Sequence, residues 1–474
     1  MILHRDVVII GGGISGLSCA WWLARKGIRT TILEQADRTG GLIHSTRKDG
    51  YVTDHAASMI LNFNARVSQF IEQSGLQQHR IERNNISRRY ILKGDALKQV
   101  PESLRGLLFS DLFSLKTRLQ LLTEPFRSRT NSDSESVADF IRRRLGQEIL
   151  DLAIDPYVSA VLASDPEQAC ARSVLPRLTA LERQFGSISA GILLKKLIPG
   201  KRGLAQQAFS FNGGMRTLTE VLAENPLCEI QTSQQVMALE PARNGWRISS
   251  HSDTREQQIL ARQLILSTPA PVAARLLKPL QPELSRLLEQ IRYAPIAQIH
   301  LGFDQAGLSP VMQGNGFLLP SSAKTPLRGS LFISNLIDQR APAGKLLSSH
   351  FIGGAKQPDA LLQSDDQLLD QTLAALNKLC GLKQNPEMTR INRHAQGLPL
   401  YHGRYHQLTQ AIQQTAMTTN GLHLVANYLQ GISIRDRILQ ASQVADQVSL
   451  QLSGQLSAAS SHSLSLTQSC IKQP

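Results

Sequence analysis

The sequence predicts a mixed α/β fold that opens on a βαβ unit and continues into a second strand-rich region and a helical stretch. Three observations predict it. Residues 6–10 (Asp-Val-Val-Ile-Ile) are a short, β-branched apolar run, the pattern of a buried parallel strand. Gly11-Gly12-Gly13 breaks that run, and residues 14–26 then carry Ile14, Leu17, Trp21 and Leu23 at helical positions before the Lys26-Gly27 stop. Thr30-Thr31-Ile32-Leu33 supplies the second strand and closes the unit within about thirty residues.

Later elements follow from the same signals. Residues 66–79 carry a helical pattern, and residues 137–198 are mostly helical, with breaks expected at Asp155-Pro156 and Asp165-Pro166. Residues 236–268 alternate apolar and polar side chains between turn signals, as strands do, and residues 294–355 are strand-rich. Helices are expected at 365–381 and 436–452. Seven Ser fall within 453–474, which predicts a disordered tail. There is no internal repeat.

Composition narrows the class. Of 474 residues, 42 % are hydrophobic and 19 % charged, which excludes an intrinsically disordered chain. At about 100–200 residues per domain, the length allows two to four domains. The five cysteines, Cys19, Cys170, Cys228, Cys380 and Cys470, form no C-x-x-C pair. Zinc ribbons, thioredoxin motifs and disulfide frameworks are therefore disfavoured, a reducing compartment is expected, and no metal cluster is predicted. The 51 basic and 37 acidic residues leave a net charge of +14, which suits acidic lipid, anionic substrates or phosphates and does not by itself indicate nucleic acid. Residues 7–24 carry no charge, long enough for a membrane span, but four glycines interrupt them.

The motif in that run explains it. Gly11-x-Gly13-x-x-Gly16 follows a strand, opens a helix, and is followed by Glu34 at the end of the next strand. Gly11 permits the tight turn, Gly13 lets backbone approach a pyrophosphate, and Gly16 lets helix and strand pack closely. The helix N-terminus favours the phosphate charge, and the acid accepts hydrogen bonds from a ribose. This is a Rossmann-like dinucleotide site, and an acid at this point favours an unphosphorylated ribose, as in NAD or FAD. Arg38-Thr39-Gly40-Gly41 resembles the Arg-x-Gly-Gly element of FAD enzymes of the amine-oxidase and glutathione-reductase type.

Further segments make the chain resemble the protoporphyrinogen oxidase family, the haem-pathway branch of the amine-oxidase superfamily, from the N-terminus to about residue 450. They are Arg88-Arg89-Tyr90-Ile91-Leu92 with Val100-Pro101, Asp155-Pro156-Tyr157-Val158 through Asp165-Pro166, and Leu175-Pro176 through Gly186-Ser187. Gly213-Gly214-Met215 and the stretch from Gly421 through Asn427-Tyr428 to Ile434 add the superfamily's own elements. The chain departs from the family at 54–58, which read Asp-His-Ala-Ala-Ser where Gly-Pro is usual after the acid, and at Ala426 and Ser164, where Gly is usual.

The resemblance implies an α/β (α+β mixed) fold. Its parts are an FAD-binding domain from 1–60, 205–270 and 400–450, a mixed-sheet substrate domain from 61–89 and 271–399, and a helical, membrane-contacting insertion at 90–204. It implies non-covalent FAD, with contacts from Gly11, Gly12, Gly13, Ile14, Ser15, Gly16, Glu34, Gln35, Arg38, Gly40, Gly41 and Leu42. Ala56, Ala57, Ser58 and Met59 occupy the departed loop. Val236 matches the residue whose backbone reads the adenine, and Asn427, Ile432, Ser433 and Ile434 match the segment near the isoalloxazine. For the substrate, Arg89 matches the propionate-binding position, and Leu318, Asn315 and Phe351 match residues around the tetrapyrrole.

The implied reaction is oxidation of protoporphyrinogen IX to protoporphyrin IX with O₂ as acceptor, six electrons in three flavin cycles, and H₂O₂ as product. No acid–base residue is assigned, because the flavin takes the hydride. Coproporphyrinogen III oxidase, a divergent amine-oxidase-like oxidoreductase and a non-catalytic flavin-fold carrier remain as alternatives. The expected location is cytoplasmic, peripheral on the cytoplasmic face of a membrane, where basic residues 80–118 and 187–219 would meet lipid. A homodimer, and hand-off of product to a ferrochelatase or magnesium chelatase, are further partners the resemblance allows; nucleic acid is not among them.

Overall fold

In the computed structural model, residues 2–85, 88–101, 106, 110–130, 132, 134–197, 206–253 and 255–469 are described. The first strand (β1, Ile2–Ile10), helix (α1, Ile14–Ala24) and second strand (β2, Thr30–Leu33) form the expected βαβ unit, with Val7–Ile10 running parallel to Thr30–Leu33. Strand order in this sheet is 228–231, β2, β1, 255–266, 245–252, 235–242, and strand 422–424 also pairs with 255–266. Its central strands are apolar on both faces: Val7 and Ile9 pack in one cluster with α1 and the long last helix, and Val8 and Ile10 in another with Ala270, Ala273 and Ala274. Cys19, Ala20 and Leu23 of α1 pack with Ile438, Ala441, Ala445 and Val448 of that helix.

A second mixed sheet of seven strands runs in the order 388–399, 293–304, 345–353, 327–332, 316–318, 89–93, 96–99. Alternation divides its faces. Ala297, Ile299, Leu301, Phe303, Phe317 and Phe332 pack with Leu368, Ala375 and Leu376 of helix Asp365–Cys380. That helix begins with a capping box at Ser364 and Gln367 and ends at Gly381 in the left-handed region, φ 67°. The opposite face is turned toward the rest of the molecule.

The structure differs from the sequence reading at three points. Residues 90–99, expected within the helical insertion, form a hairpin on the edge of the second sheet. Lys93 pairs with Ala96 across Gly94-Asp95, and Gly94 takes φ 63°. Asp155-Pro156 does not break the helical run: Gln147–Ile149, a π-helical turn over Leu150–Ile154 and helix Asp155–Val161 follow one another without a gap, and Pro156 stands in the first turn of the last. The last helix runs Ile434–Ser469, so the Ser-rich stretch expected to lack structure continues a helix, although residues 470–474 lie outside the described residues. So do 102–105, 107–109 and 198–205, parts of the basic stretches expected to meet lipid. Among the described residues no helix is long and apolar enough to cross a membrane.

Candidate functional site

The glycine loop lies at the C-terminal edge of the first sheet, where β1 and strands 255–266 and 422–424 end together. This is the edge at which open α/β sheets bind ligands. Gly11 has φ 103°, and Ser267 Oγ donates to its carbonyl at 2.9 Å. A Cβ on Gly16 would meet that carbonyl oxygen at 2.1 Å, so Gly16 is required for helix and strand to touch. Gly13 is different: a Cβ there would meet nothing within 4 Å. It is the N-cap of α1, which has no side-chain cap and no acid in its first turn. Open space in front of uncapped helix N–H groups fits a phosphate.

The candidate adenosine end is built around Glu34. Its carboxylate accepts Gly12 N–H at 2.6 Å and Ala36 N–H at 2.8 Å. Each oxygen keeps a lone pair for a ribose hydroxyl. Ser233 N–H donates to the Ala36 carbonyl and Gln234 N–H to the Glu34 carbonyl, both at 2.8 Å. This brings Val236, buried in its strand, to the same end of the loop. Gln35 is exposed beside it.

The second glycine pair closes on the first. Gly40 N–H donates to the Gly12 carbonyl at 2.8 Å, and a Cβ on Gly41 would lie 3.4 Å from Gly13 Cα. Arg38 donates to the carbonyls of Thr39 and Gly41, both at 3.1 Å, so its guanidinium braces this turn. Leu42 is 46 % exposed at the rim, an apolar side chain in the open beside the cradle. The chain thus has backbone donors, open space and a ribose acceptor where FAD requires them.

Loop 55–59 is anchored from both ends. Asp54 accepts Ser45 Oγ–H at 2.6 Å and Met215 N–H at 2.8 Å, and Arg340 lies 3.4 Å away. Burial pushes the Asp54 carboxyl up, while Arg340, Ser45 and Met215 act against that shift. Ser210 Oγ donates to the Ser58 carbonyl at 2.7 Å. Ala56, Ala57 and Met59 stay at least partly open between these anchors. His55 stacks edge-on against His44, with ring centroids 4.6 Å apart. Burial, then the nearby charge of Arg390, lowers the His55 pKa to about 4, so its ring is neutral near pH 7.

Ser433 caps the last helix by accepting Asp436 N–H at 3.2 Å. Ile434 opens that helix, and Asn427 and Ile432 lie half-buried in the loop before it. Gly431 takes φ 107° at this turn.

Strand register assembles the candidate substrate side. Cross-strand pairs line up Ile91, Leu318, Gly329, Phe351, Gln298 and Asn392 in one row, on the face opposite helix Asp365–Cys380. The neighbouring row runs from Arg89 through Gly316, Leu331, Ser349 and His300 to Arg390. Leu318 and Phe351 are half-buried; Gln298 and Asn392 are buried, and each has a side-chain N–H group without a partner among the described residues. Helix Asp155–Val161 lies over the row, with Ala160 Cβ 3.4 Å from where a Gly329 Cβ would stand. Asn315 is not in either row. It is buried just before strand Gly316–Leu318, and neither polar atom of its amide has a partner.

The sequence signals missed Ser267, Arg340, Gln298 and Asn392. None stands in a motif; each is found only through the strand or loop it pairs with. Asp54 carried a signal, as the acid following the second glycine pair.

The family model of flavin containing amine oxidoreductases matches residues 14–449. Protoporphyrinogen oxidase 2 of Arabidopsis thaliana is 27 % identical, over 94 % of this chain and 94 % of that protein. Coproporphyrinogen III oxidase of Bacillus subtilis is 25 % identical, over 92 % of this chain and 96 % of its own length. A crystal structure from Exiguobacterium sp., which bears the protoporphyrinogen oxidase name provisionally, superposes with TM-score 0.78 at 23 % identity, covering 95 % of this chain and all of that one. Putrescine oxidase in complex with putrescine superposes with TM-score 0.70 at 14 % identity, over 94 % of this chain and 99 % of that one. These two structural likenesses are likenesses of fold.

Proposed function

The chain belongs to the flavin-containing amine oxidoreductases, and from that membership we propose that this FAD-dependent oxidoreductase converts protoporphyrinogen IX to protoporphyrin IX with O₂ as acceptor. Six electrons leave the substrate in three cycles, and three O₂ become three H₂O₂. The observation that carries this reading is the row Ile91–Leu318–Gly329–Phe351, an apolar strip with Arg89 beside it. An apolar tetrapyrrole macrocycle with carboxylate arms needs both.

When bound, FAD supplies the two-electron acceptor for hydride from a meso carbon and the electrons for O₂. The chain's own residues do the rest. Gly11–Gly16 and Glu34 hold phosphates and ribose; Leu318 and Phe351 give the ring an apolar surface and exclude water. Arg89, exposed, offers a planar fork to a carboxylate. His55 is neutral near pH 7 and so adds no charge beside the flavin loop.

Coproporphyrinogen III is the second reading, supported by the Bacillus relative; its four carboxylates ask for more cations. The test is direct. The purified protein should show an oxidised-flavin absorption band, and porphyrin fluorescence should appear faster from protoporphyrinogen IX than from coproporphyrinogen III in air. No flavin band refutes the enzyme; the reverse order of rates refutes the substrate.

A cytoplasmic, membrane-peripheral location is part of the same proposal. On helix Leu115–Leu122, Leu115, Leu119 and Leu122 stand at i, i+4 and i+7 and all face solvent, and Phe126 just beyond is 90 % exposed. Lys116 and Arg118 flank them. An apolar face edged by cations fits an anionic lipid surface.

A further inference from the structure

His394 stands where strand 388–399 meets loop 55–59. Its Nε2 lies 2.6 Å from the His55 carbonyl oxygen. A carbonyl can only accept, so in the neutral ring Nε2 carries the proton and Nδ1 keeps its lone pair. Among the described residues nothing hydrogen-bonds to that Nδ1, and the ring is half-buried, open to a ligand on one side.

Register places this ring at the polar end of the candidate substrate row. His394 pairs with Ile296 and Asn392 with Gln298, with no register shift between them. His394 therefore shares a face with Gln298, Asn392 and, one strand further, Phe351. Arg393, on the other face, reaches Asp365 of the helix that covers that side. The row is apolar from Ile91 through Leu318 to Phe351 and turns polar at Gln298, Asn392 and His394, beside the loop. Neighbouring strands lie about 4.8 Å apart, so a macrocycle resting on Phe351 brings its ring nitrogens to the polar end.

The surroundings leave His394 free to take a proton. Among the described residues no carboxylate lies within ion-pair distance of it. The charged groups nearby are Arg390 on its own strand, Arg38 across the loop, and Asp54, which Arg340 holds. The neighbouring histidines are engaged: His55 Nε2 lies 2.9 Å from Thr46 Oγ1, His44 stacks on His55, and His300 Nδ1 lies 2.7 Å from Ser349 Oγ.

We propose that His394 is the proton acceptor of the oxidation, its Nδ1 taking protons from the macrocycle's pyrrole nitrogens. The proposal rests on the tetrapyrrole reading above. Each cycle delivers one hydride from a meso carbon to FAD and must also release one proton. Where that proton sits on a pyrrole nitrogen, the N–H bond breaks toward Nδ1 and its electron pair stays in the ring as part of the new double bond. His394 then gives the proton to solvent. With one hydride and one proton removed, the cycle consumes one O₂ and forms one H₂O₂.

The experiment follows flavin reduction by protoporphyrinogen IX in anaerobic stopped flow. His394→Gln keeps an N–H for the His55 carbonyl and removes the basic nitrogen. It should keep the wild-type melting temperature, flavin absorption and rate of reduction by dithionite, yet lose tenfold or more in reduction by the porphyrinogen. The wild-type rate should fall on the acid side of its pH profile, and that limb should vanish in His394→Gln. His394→Ala should recover rate when imidazole is added. A wild-type rate or an unchanged pH profile in His394→Gln overturns the proposal, as does a loss that dithionite reduction shares, which would mark a structural role. A wild type whose flavin protoporphyrinogen IX does not reduce overturns instead the tetrapyrrole reading on which the proposal stands.

Discussion

Gly13 and Gly16 stand three residues apart in one motif and do opposite jobs. Gly16 is compressed against the Gly11 carbonyl, whereas Gly13 faces open space. Gly13→Ala should therefore leave the melting temperature of the flavin-free protein within about 2 °C, because φ −73° suits alanine. It should nevertheless weaken FAD at least tenfold, about 1.4 kcal/mol or more, as read by flavin fluorescence on titration. Gly16→Ala should lower stability itself by about 1–3 kcal/mol through overpacking, seen in urea unfolding of the same flavin-free protein. Equal effects on both readouts at both positions would refute the division. The motif's spacing is legible in the sequence; which glycine makes room for protein and which for ligand is not, because the carbonyl and Ser267 that decide it come from other parts of the chain.

At the scale of elements, helix Ile188–Leu197 depends on Glu124. Ser187 Oγ donates to that carboxylate at 2.6 Å, Ile188 and Ser189 N–H at 3.0 Å each, and buried Arg144 pairs with it. Burial opposes the charge, but the Ser187 hydroxyl, the two N–H groups and Arg144 hold the pKa near 2, below the ordinary 4.5. A depressed carboxylate stabilises the fold above its unfolded pKa and loses that contribution as pH falls through the folded one. Glu124→Gln should melt several degrees below wild type at pH 7, with the gap closing between pH 4.5 and 2 in a calorimetric pH series. A gap unchanged with pH would refute the electrostatic account. The exposed face of helix Leu115–Leu122 makes a second prediction: Leu119→Glu should reduce co-sedimentation with anionic vesicles severalfold while sparing turnover of dissolved substrate. Unaltered sedimentation would refute lipid contact there. Helix patterns in this region were readable because they are local. Hairpin 89–99 was not, since its basic, Leu-containing sequence pairs with residues 316–318, far along the chain.

Across the whole molecule, Asp54 and Arg340 join loop 55–59 to the second sheet's connections, with side-chain exposures of 1 % and 2 %. Removing one partner strands the other in a dry interior. Arg340→Ala should cost about 3–5 kcal/mol in denaturant unfolding, and Asp54→Asn combined with Arg340→Met should cost less than the single change. A double variant at least as damaged as the single one would refute the pairing. The sequence by itself determined the dinucleotide unit, because a strand, three glycines, a helix and an acid act within about thirty residues through backbone geometry alone. It also carried, through its motifs, the family and its cofactor. Only the tertiary structure decided that Leu318 and Phe351 share a row on one face of the second sheet while Asn315 stands outside it, and that Asp54 meets Arg340. Strand register and the convergence of separately anchored loops set those relations, and neither leaves a periodic trace in the local sequence.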